Sequence, residues 1–136
     1  PTEINIMSVT EGTVAFSNLS TTEFYNGKDT GKYSIVITME EDARDQLENA
    51  GIKTKEYEDK NLKIHLQRKF VTQYDNFDVV DVDGESTSKH IPYGSRVRIL
   101  WQGGNPHPVH GVAPYFKKIK VLELSEGADV EGSEDF

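Results

Sequence analysis

The sequence predicts a mostly β fold with one short helix, in which five strands or so curl into a small barrel and an acidic tail follows without fixed structure. Three observations predict it. Apolar and polar residues alternate with period two over most of the body, and only one segment has helical character. Residues 125–136, SEGADVEGSEDF, carry five acids among small residues and no Lys or Arg. Such a segment buries too little apolar surface to offset its ordering entropy. The expected division is therefore a domain over residues 1–124 and a tail over 125–136.

In chain order, GTVAFSNL makes a first strand, and INIMSV either extends or precedes it. GKYSIVITM places Tyr33, Ile35, Ile37 and Met39 on one face, with Lys32, Ser34, Val36 and Thr38 on the other. Thr38 and Glu41 have capping-box spacing. EEDARDQLENA then supplies helix formers with acids in the first turn; Gly51 ends the helix, and Ala43 and Leu47 would dock it. In NLKIHLQRKF, Leu62, Ile64 and Leu66 share a face with Phe70, interrupted by Arg68. Lys63, His65, Gln67 and Lys69 form the basic, hydrogen-bonding face opposite. FDVVDVDG offers a short strand ending at the turn signal Asp83-Gly84. SRVRILW sets Val97, Ile99 and Trp101 against Arg96, Arg98 and Leu100. The last strand, YFKKIKVLEL, turns Ile119 and Val121 inward beside Lys118 and Lys120.

One helix among these strands indicates a small barrel rather than a doubly wound sheet. The oligonucleotide-binding (OB) barrel is the five-stranded candidate, although its helix commonly follows the third strand and not the second. The Gly/Pro-rich stretch QGGNPHPVHGVAP lies between the last two strong strands. In OB barrels the loop joining strands four and five is one of those that cover the ligand.

The chain of 136 residues has 15 Lys and Arg, 23 Asp and Glu, and a formal net charge of −8. Acidity of that size normally argues against a nucleic-acid partner, but the charges are segregated. Without the tail the body carries −3, and residues 86–122 contain no acid at all. That window holds Lys89, Arg96, Arg98, Lys117, Lys118 and Lys120. A second acid-free window, residues 60–74, holds Lys60, Lys63, Arg68 and Lys69. The absence of Cys excludes disulfides, thiolate metal sites and cysteine nucleophiles. No apolar run reaches the roughly 18–20 residues that span a bilayer, so a transmembrane protein is not expected. No basic-then-apolar signal segment opens the chain, and the absence of thiols fits the cytosol.

Catalysis finds no support. His107 and His110 form H-x-x-H on a Pro-containing loop with no helix to aim both rings and no acid beside them, so solvent or phosphate contact is favoured over a metal site. The carboxylates at Glu40-Glu41-Asp42 and at Asp81 and Asp83 lack an apolar pocket that would give them different roles. There is no nucleophile elbow, phosphate loop or dinucleotide fingerprint. No cofactor, no metal and no enzymatic activity are expected. Aromatics interleave with the bases instead: Tyr93, Trp101, Tyr115 and Phe116 in one window, Tyr74 and Phe77 after the other. Cations that track phosphates beside rings on which unpaired bases stack are what single-strand binding requires. Trp101, with Val97 and Ile99 as face-mates, reads as core; Tyr93, Tyr115 and Phe116 border loops.

The candidate DNA contacts are thus Lys63, His65, Gln67, Lys69, Arg96, Arg98, Lys117 and Lys118, with Tyr93, Tyr115 and Phe116 stacking bases. In the tail, Glu131, Glu134, Asp135 and Phe136 form an aromatic anchor rimmed by acids, suited to a basic partner pocket with a hydrophobic floor.

GKYSIVITM running into a helix, the segment Ile91-Pro92-Tyr93-Gly94-Ser95-Arg96-Val97-Arg98-Ile99, and the acidic tail closing on Phe136 together resemble the single-stranded DNA-binding proteins of short-tailed (podovirus) phages. The likeness covers most of residues 12–136 and accounts for the position of the helix. It implies an OB barrel that binds single strands with little sequence preference in replication, recombination and annealing. It further implies a homodimer in the host cytoplasm, and a tail that contacts phage DNA polymerase and helicase–primase and occupies the DNA groove when DNA is absent. Two rival readings are a protein-interaction or virion structural module working through the acidic stretch 75–85, and an RNA-binding cold-shock-like protein.

Overall fold

A computed structural model describes residues 7–22, 24–73, 77–87, 89–104, 106, 108–109 and 111–125. The strands are β1 (Ser8–Asn18), β2 (Phe24–Tyr25), β3 (Lys28–Asp29), β4 (Tyr33–Met39), β5 (Lys55–Glu58), β6 (Ile64–Thr72), β7 (Asp78–Val80), β8 (Arg96–Gly103) and β9 (Pro114–Glu123). The helix α1 (Glu41–Asn49) follows β4. The chain is mostly β with one helix, an arrangement consistent with an OB-like fold.

Seven strands form one sheet in the order β5-β6-β4-β1-β8-β9-β7, and β2 pairs with β3 in a separate hairpin. One further pairing closes the large sheet on itself. The end of β6 meets β9 in parallel at Val71 and Tyr115, so that β1, β4, β6, β9 and β8 complete a circuit. The alternating residues of these strands supply the core, with Val14, Ile35, Ile37, Phe70, Val97, Ile99, Phe116 and Ile119 all buried. Phe77 packs edge-on against Phe116 at 5.0 Å and Phe70 against Trp101 at 6.1 Å. The buried indole N–H of Trp101 donates to Thr10 Oγ1 at 2.8 Å, which removes the cost of an unpaired interior donor.

Several expectations need correction. The strands number nine among the described residues, because the β2–β3 hairpin and β5 add to those read from the sequence, of which β7 is the short strand expected in FDVVDVDG. There is no capping box: Thr38 still belongs to β4, and the extended Glu40 precedes the helix without a side-chain cap. Leu62 and Ile64 are not core residues, being 75% and 54% exposed. The reason lies in the register. β4 opposes β6 only from Tyr33–Thr72 to Met39–Leu66, so Ile64 lies beyond the end of β4 and faces only Glu58 of β5. The turn of that overhanging hairpin is held by the Asp59 carboxylate, which accepts the N–H groups of Asn61 and Lys63 and leaves Leu62 at φ 66°.

Leu47 does dock α1 with Ala43 beside it, and Gly51 follows the helix at φ 87°. The long loop between β8 and β9 is tied at its neck by Gly104 N–H to Ala113 O (2.9 Å) and to the end of the helix by Val112 N–H to Gly51 O (3.2 Å). His107 and His110 lie outside the described residues. Ser125, assigned to the tail from composition, donates its N–H to the buried Ser95 Oγ at 2.9 Å.

Candidate nucleic-acid interface

The outer face of β4 and β6 is set by period two. Leu66 and Phe70 turn inward, which points Gln67, Lys69 and Val71 outward. Registers with the neighbouring strands line up rows of outward residues: Lys55, Gln67 and Thr38 in one, Lys69 and Val36 in the next. A bulge in β1 between Val14 and Phe16 extends the second row. Val14 remains inside opposite Ile37, while Phe16 turns out opposite Val36 and is 55% exposed. Phe16, Val36 and Lys69 therefore run side by side across three strands.

Two hollows lie along this face. Lys53, Lys55, Arg68 and Lys69 line one of about 520 Å³. Lys32, Arg68, Lys69 and Phe24 line another of about 370 Å³, together with Val71 and Ala113. Arg68 and Lys69 belong to both, so the hollows adjoin, and among the described residues the joint lining of this groove holds five cations and no carboxylate. Arg68, the residue that interrupts the apolar alternation of β6, donates Nε–H to Lys69 O at 2.9 Å and Nη1–H to Lys53 O at 3.0 Å. Partial burial lowers its pKa, yet a guanidinium stays cationic at neutral pH. Phe24, on the β2–β3 hairpin, is 66% exposed at the edge of the groove.

The expected contact residues do not share one surface. Lys69 and Gln67 line the groove, Gln67 Nε2–H also donating to Thr38 Oγ1 at 3.3 Å. Lys63, His65 and Tyr93 line a different hollow, of about 950 Å³, beside Glu40, Glu41, Asp42 and Glu56. His65 is engaged there: Nε2–H donates to Asp59 Oδ2 at 2.8 Å and the ring stacks on Tyr57 at 4.9 Å. That hydrogen bond, with the backbone N–H of Lys63, brings the Asp59 carboxyl down from 3.8 to about 2. Arg96 and Arg98 lie on β8 against Glu11 of β1, with Arg98 Nε–H donating to Glu11 Oε2 at 2.8 Å. Lys118 stands opposite Leu100 on the β8–β9 pair, and Lys117 and Tyr115 line a third hollow. Phe116 is corrected outright: it is fully buried and cannot stack on a base. Trp101 is core, as read, and so is Phe77. Tyr74 and the tail residues Glu131, Glu134, Asp135 and Phe136 lie outside the described residues. Among the described residues no three His, Cys, Asp or Glu groups gather where a metal could sit, and no helix is long and apolar enough to cross a membrane.

No protein-family model matches the sequence, and no curated protein is similar to it. Solved structures are. The fold is shared with single-stranded DNA-binding proteins of bacteriophages. The single-stranded DNA-binding protein of bacteriophage Enc34, in complex with ssDNA, superposes with a TM-score of 0.66 over 88% of each chain at 13% identity. A C-terminal truncation of that protein gives 0.65 over 88% of this chain and 87% of the other, again at 13% identity. Gp2.5, a single-stranded DNA-binding protein encoded by bacteriophage T7, gives 0.52 over 96% of each chain at 13% identity.

Within this fold, sequence reasoning overlooked Phe16, Phe24, Lys53 and Lys55 and gave Lys32 no role. Signals existed for some of them. Lys32 shares the outward parity of Val36 and Thr38. Lys53 and Lys55 fall in the acid-rich stretch 40–59, where averaging hid them, although on β5 Lys55 and Tyr57 occupy one face and Glu56 and Glu58 the other.

Proposed function

We propose that this protein binds single-stranded DNA with little sequence preference, in the replication, recombination and annealing of phage DNA within the infected host cell. The strand lies along the outer face of β4, β5 and β6. The observation that carries this reading is the groove of two adjoining hollows, lined among the described residues by five cations and no carboxylate, with two exposed phenylalanines beside it. Cations meet phosphates and flat rings meet unpaired bases, which needs no base-specific geometry.

The closed circuit β1-β4-β6-β9-β8 is read as a five-stranded OB barrel, with β4 and β6 as its second and third strands. The β2–β3 hairpin and the loop 104–113 then correspond to the two loops that flank the ligand face in OB folds, and Phe24 and Ala113 bring both to the groove. The acidic tail 125–136 competes with DNA for the groove. When displaced, it presents Glu131, Glu134, Asp135 and Phe136 to a polymerase or helicase–primase, and the protein works as a homodimer that catalyses no reaction.

The test is fluorescence anisotropy with a labelled oligothymidylate, a duplex of the same length and an oligouridylate, for the wild type and for Lys55→Glu/Lys69→Glu. Tight binding of the single strand, lost by more than tenfold in the double variant, is the expected result. Failure of the wild type to bind any oligonucleotide would overturn the reading, and preference for the oligouridylate would reassign the protein to RNA.

A further inference from the structure

A third hollow is built differently from the groove. Where the end of β6 meets the end of β8 and the start of β9, Thr72, Gln73, Gln102, Gly103, Tyr115 and Lys117 enclose about 280 Å³. That is just under the roughly 300–1,000 Å³ of drug-sized ligand pockets and suits a single planar ring. Among the described residues, the polar groups of its lining are two carboxamides, a hydroxyl, a phenol and an ammonium, and none is acidic. A carboxamide offers a donor and an acceptor in one plane, the arrangement that reads the edge of a base rather than a phosphate.

The aromatic wall is held in place by glycine. A Cβ on Gly104 would stand 3.1 Å from Tyr115 Cδ2 and 3.5 Å from Cζ, and nearer still to Cε2, while one on Gly103 would stand 2.9 Å from Val112 Cγ1. Only a backbone without side chains lets the ring lie this close, and Gly104 is fixed by its N–H to Ala113 O. Tyr115 is half-buried, backed by Gly104 on one side and lining the hollow on another. The hollow lies beside the groove across the β6–β9 bridge: Val71, which lines the groove, pairs with Tyr115, which lines the hollow.

We propose that this hollow accepts one unstacked nucleobase of a strand lying in the groove, stacked on Tyr115 and hydrogen-bonded at its edge by Gln73 and Gln102. Lys117 adds donors and no acceptor, so the set is donor-rich and favours a base with exocyclic carbonyls, thymine, over adenine. The inference rests on the groove reading given above and adds one base-reading position to an otherwise sequence-tolerant surface.

The experiment uses the full chain and anisotropy with equal-length labelled oligothymidylate and oligodeoxyadenylate, and with oligothymidylates carrying one abasic residue at successive positions. The variants are Gln73→Ala, at an exposed site where folding is not at risk, Gln102→Leu, and Gly104→Ala, which displaces the Tyr115 ring. The expected result is that the thymidylate-to-adenylate affinity ratio shrinks by about fivefold in the glutamine variants, the low end of what one bidentate amide–base contact discriminates. The salt dependence stays unchanged, one abasic position costs more than its neighbours, and Gly104→Ala weakens thymidylate binding. Self-stacking of the adenylate strand belongs to the free ligand and enters every ratio equally. Unaltered ratios in both glutamine variants, with wild-type binding intact, overturn the base pocket and leave the groove reading standing. No binding to any oligonucleotide removes both.

Discussion

Phe24 stands two-thirds exposed beside Arg68 and Lys69, a placement that costs the fold apolar exposure and gives the groove a flat ring. Replacing it by Ala should weaken oligothymidylate binding by about 1–3 kcal/mol, the usual value of one stacked base. Thermal unfolding should hardly move, because a ring this exposed contributes little packing; a large loss of stability would show that Phe24 is structural. Asp59 works in the opposite sense. Its folded-state pKa of about 2 lies below the ordinary 3.8, because His65 and the backbone N–H groups of Lys63 and Asn61 hold the charged form. Stability from this group is therefore complete well above 3.8 and is lost as pH falls through that value toward about 2. Unfolding temperatures measured from about pH 5 to about pH 2 should show the wild type converging on Asp59→Asn as the acid limit is approached. A gap that stays constant over that range would dissociate Asp59 from the turn it caps.

At the scale of elements, β1 depends on a residue with no side chain. A Cβ on Gly12 would stand 2.6 Å from the carbonyl oxygen of Thr38 and 2.9 Å from Ile37 Cδ1, so β1 crosses β4 too closely for any other residue. Gly12→Ala should destabilise the protein by roughly 1–3 kcal/mol, as overpacking of a buried site does, with urea unfolding as the readout; an unchanged midpoint would mean that the strands separate at no cost. The β2–β3 hairpin shows what element-level reading can miss. Asn26 and Gly27, at φ 54° and 77°, form the turn, and Asn-Gly is a strong hairpin signal. Its strands are only two residues each, too short to reveal alternation, so the hairpin that carries Phe24 went unexpected. Conversely, β4 was legible from Ile35 to Met39, where burial alternates as the sequence does, whereas Ser34, read on the outer face, is buried.

For the whole molecule, the five groove cations bound the electrostatics of binding. If each neutralises one phosphate, log affinity should fall with log salt at a slope of about −3.5 for a single strand. Removal of residues 126–136, which spares the Ser125–Ser95 contact, should tighten binding most at low salt. The advantage should shrink toward physiological salt, where the screening length drops to about 8 Å. A truncated chain that binds no better than the full chain at any salt would end the competition between tail and DNA.

The sequence by itself determined the secondary-structure class, the single helix, the core identity of Trp101 and the separation of acids from bases, because each is local: period two, a run of helix formers closed by Gly51 and composition act over a few residues. It also determined that Lys69 and Gln67 face away from the core. Only the tertiary structure decided which cations share a surface. Parity fixes a side chain's face relative to its own strand, but the side of the molecule follows from strand order, registers and the β1 bulge. Those long-range pairings moved Arg96, Arg98 and Lys118 away from Lys69, buried Phe116, and assembled the groove from Lys32, Lys53, Lys55, Arg68 and Lys69 instead.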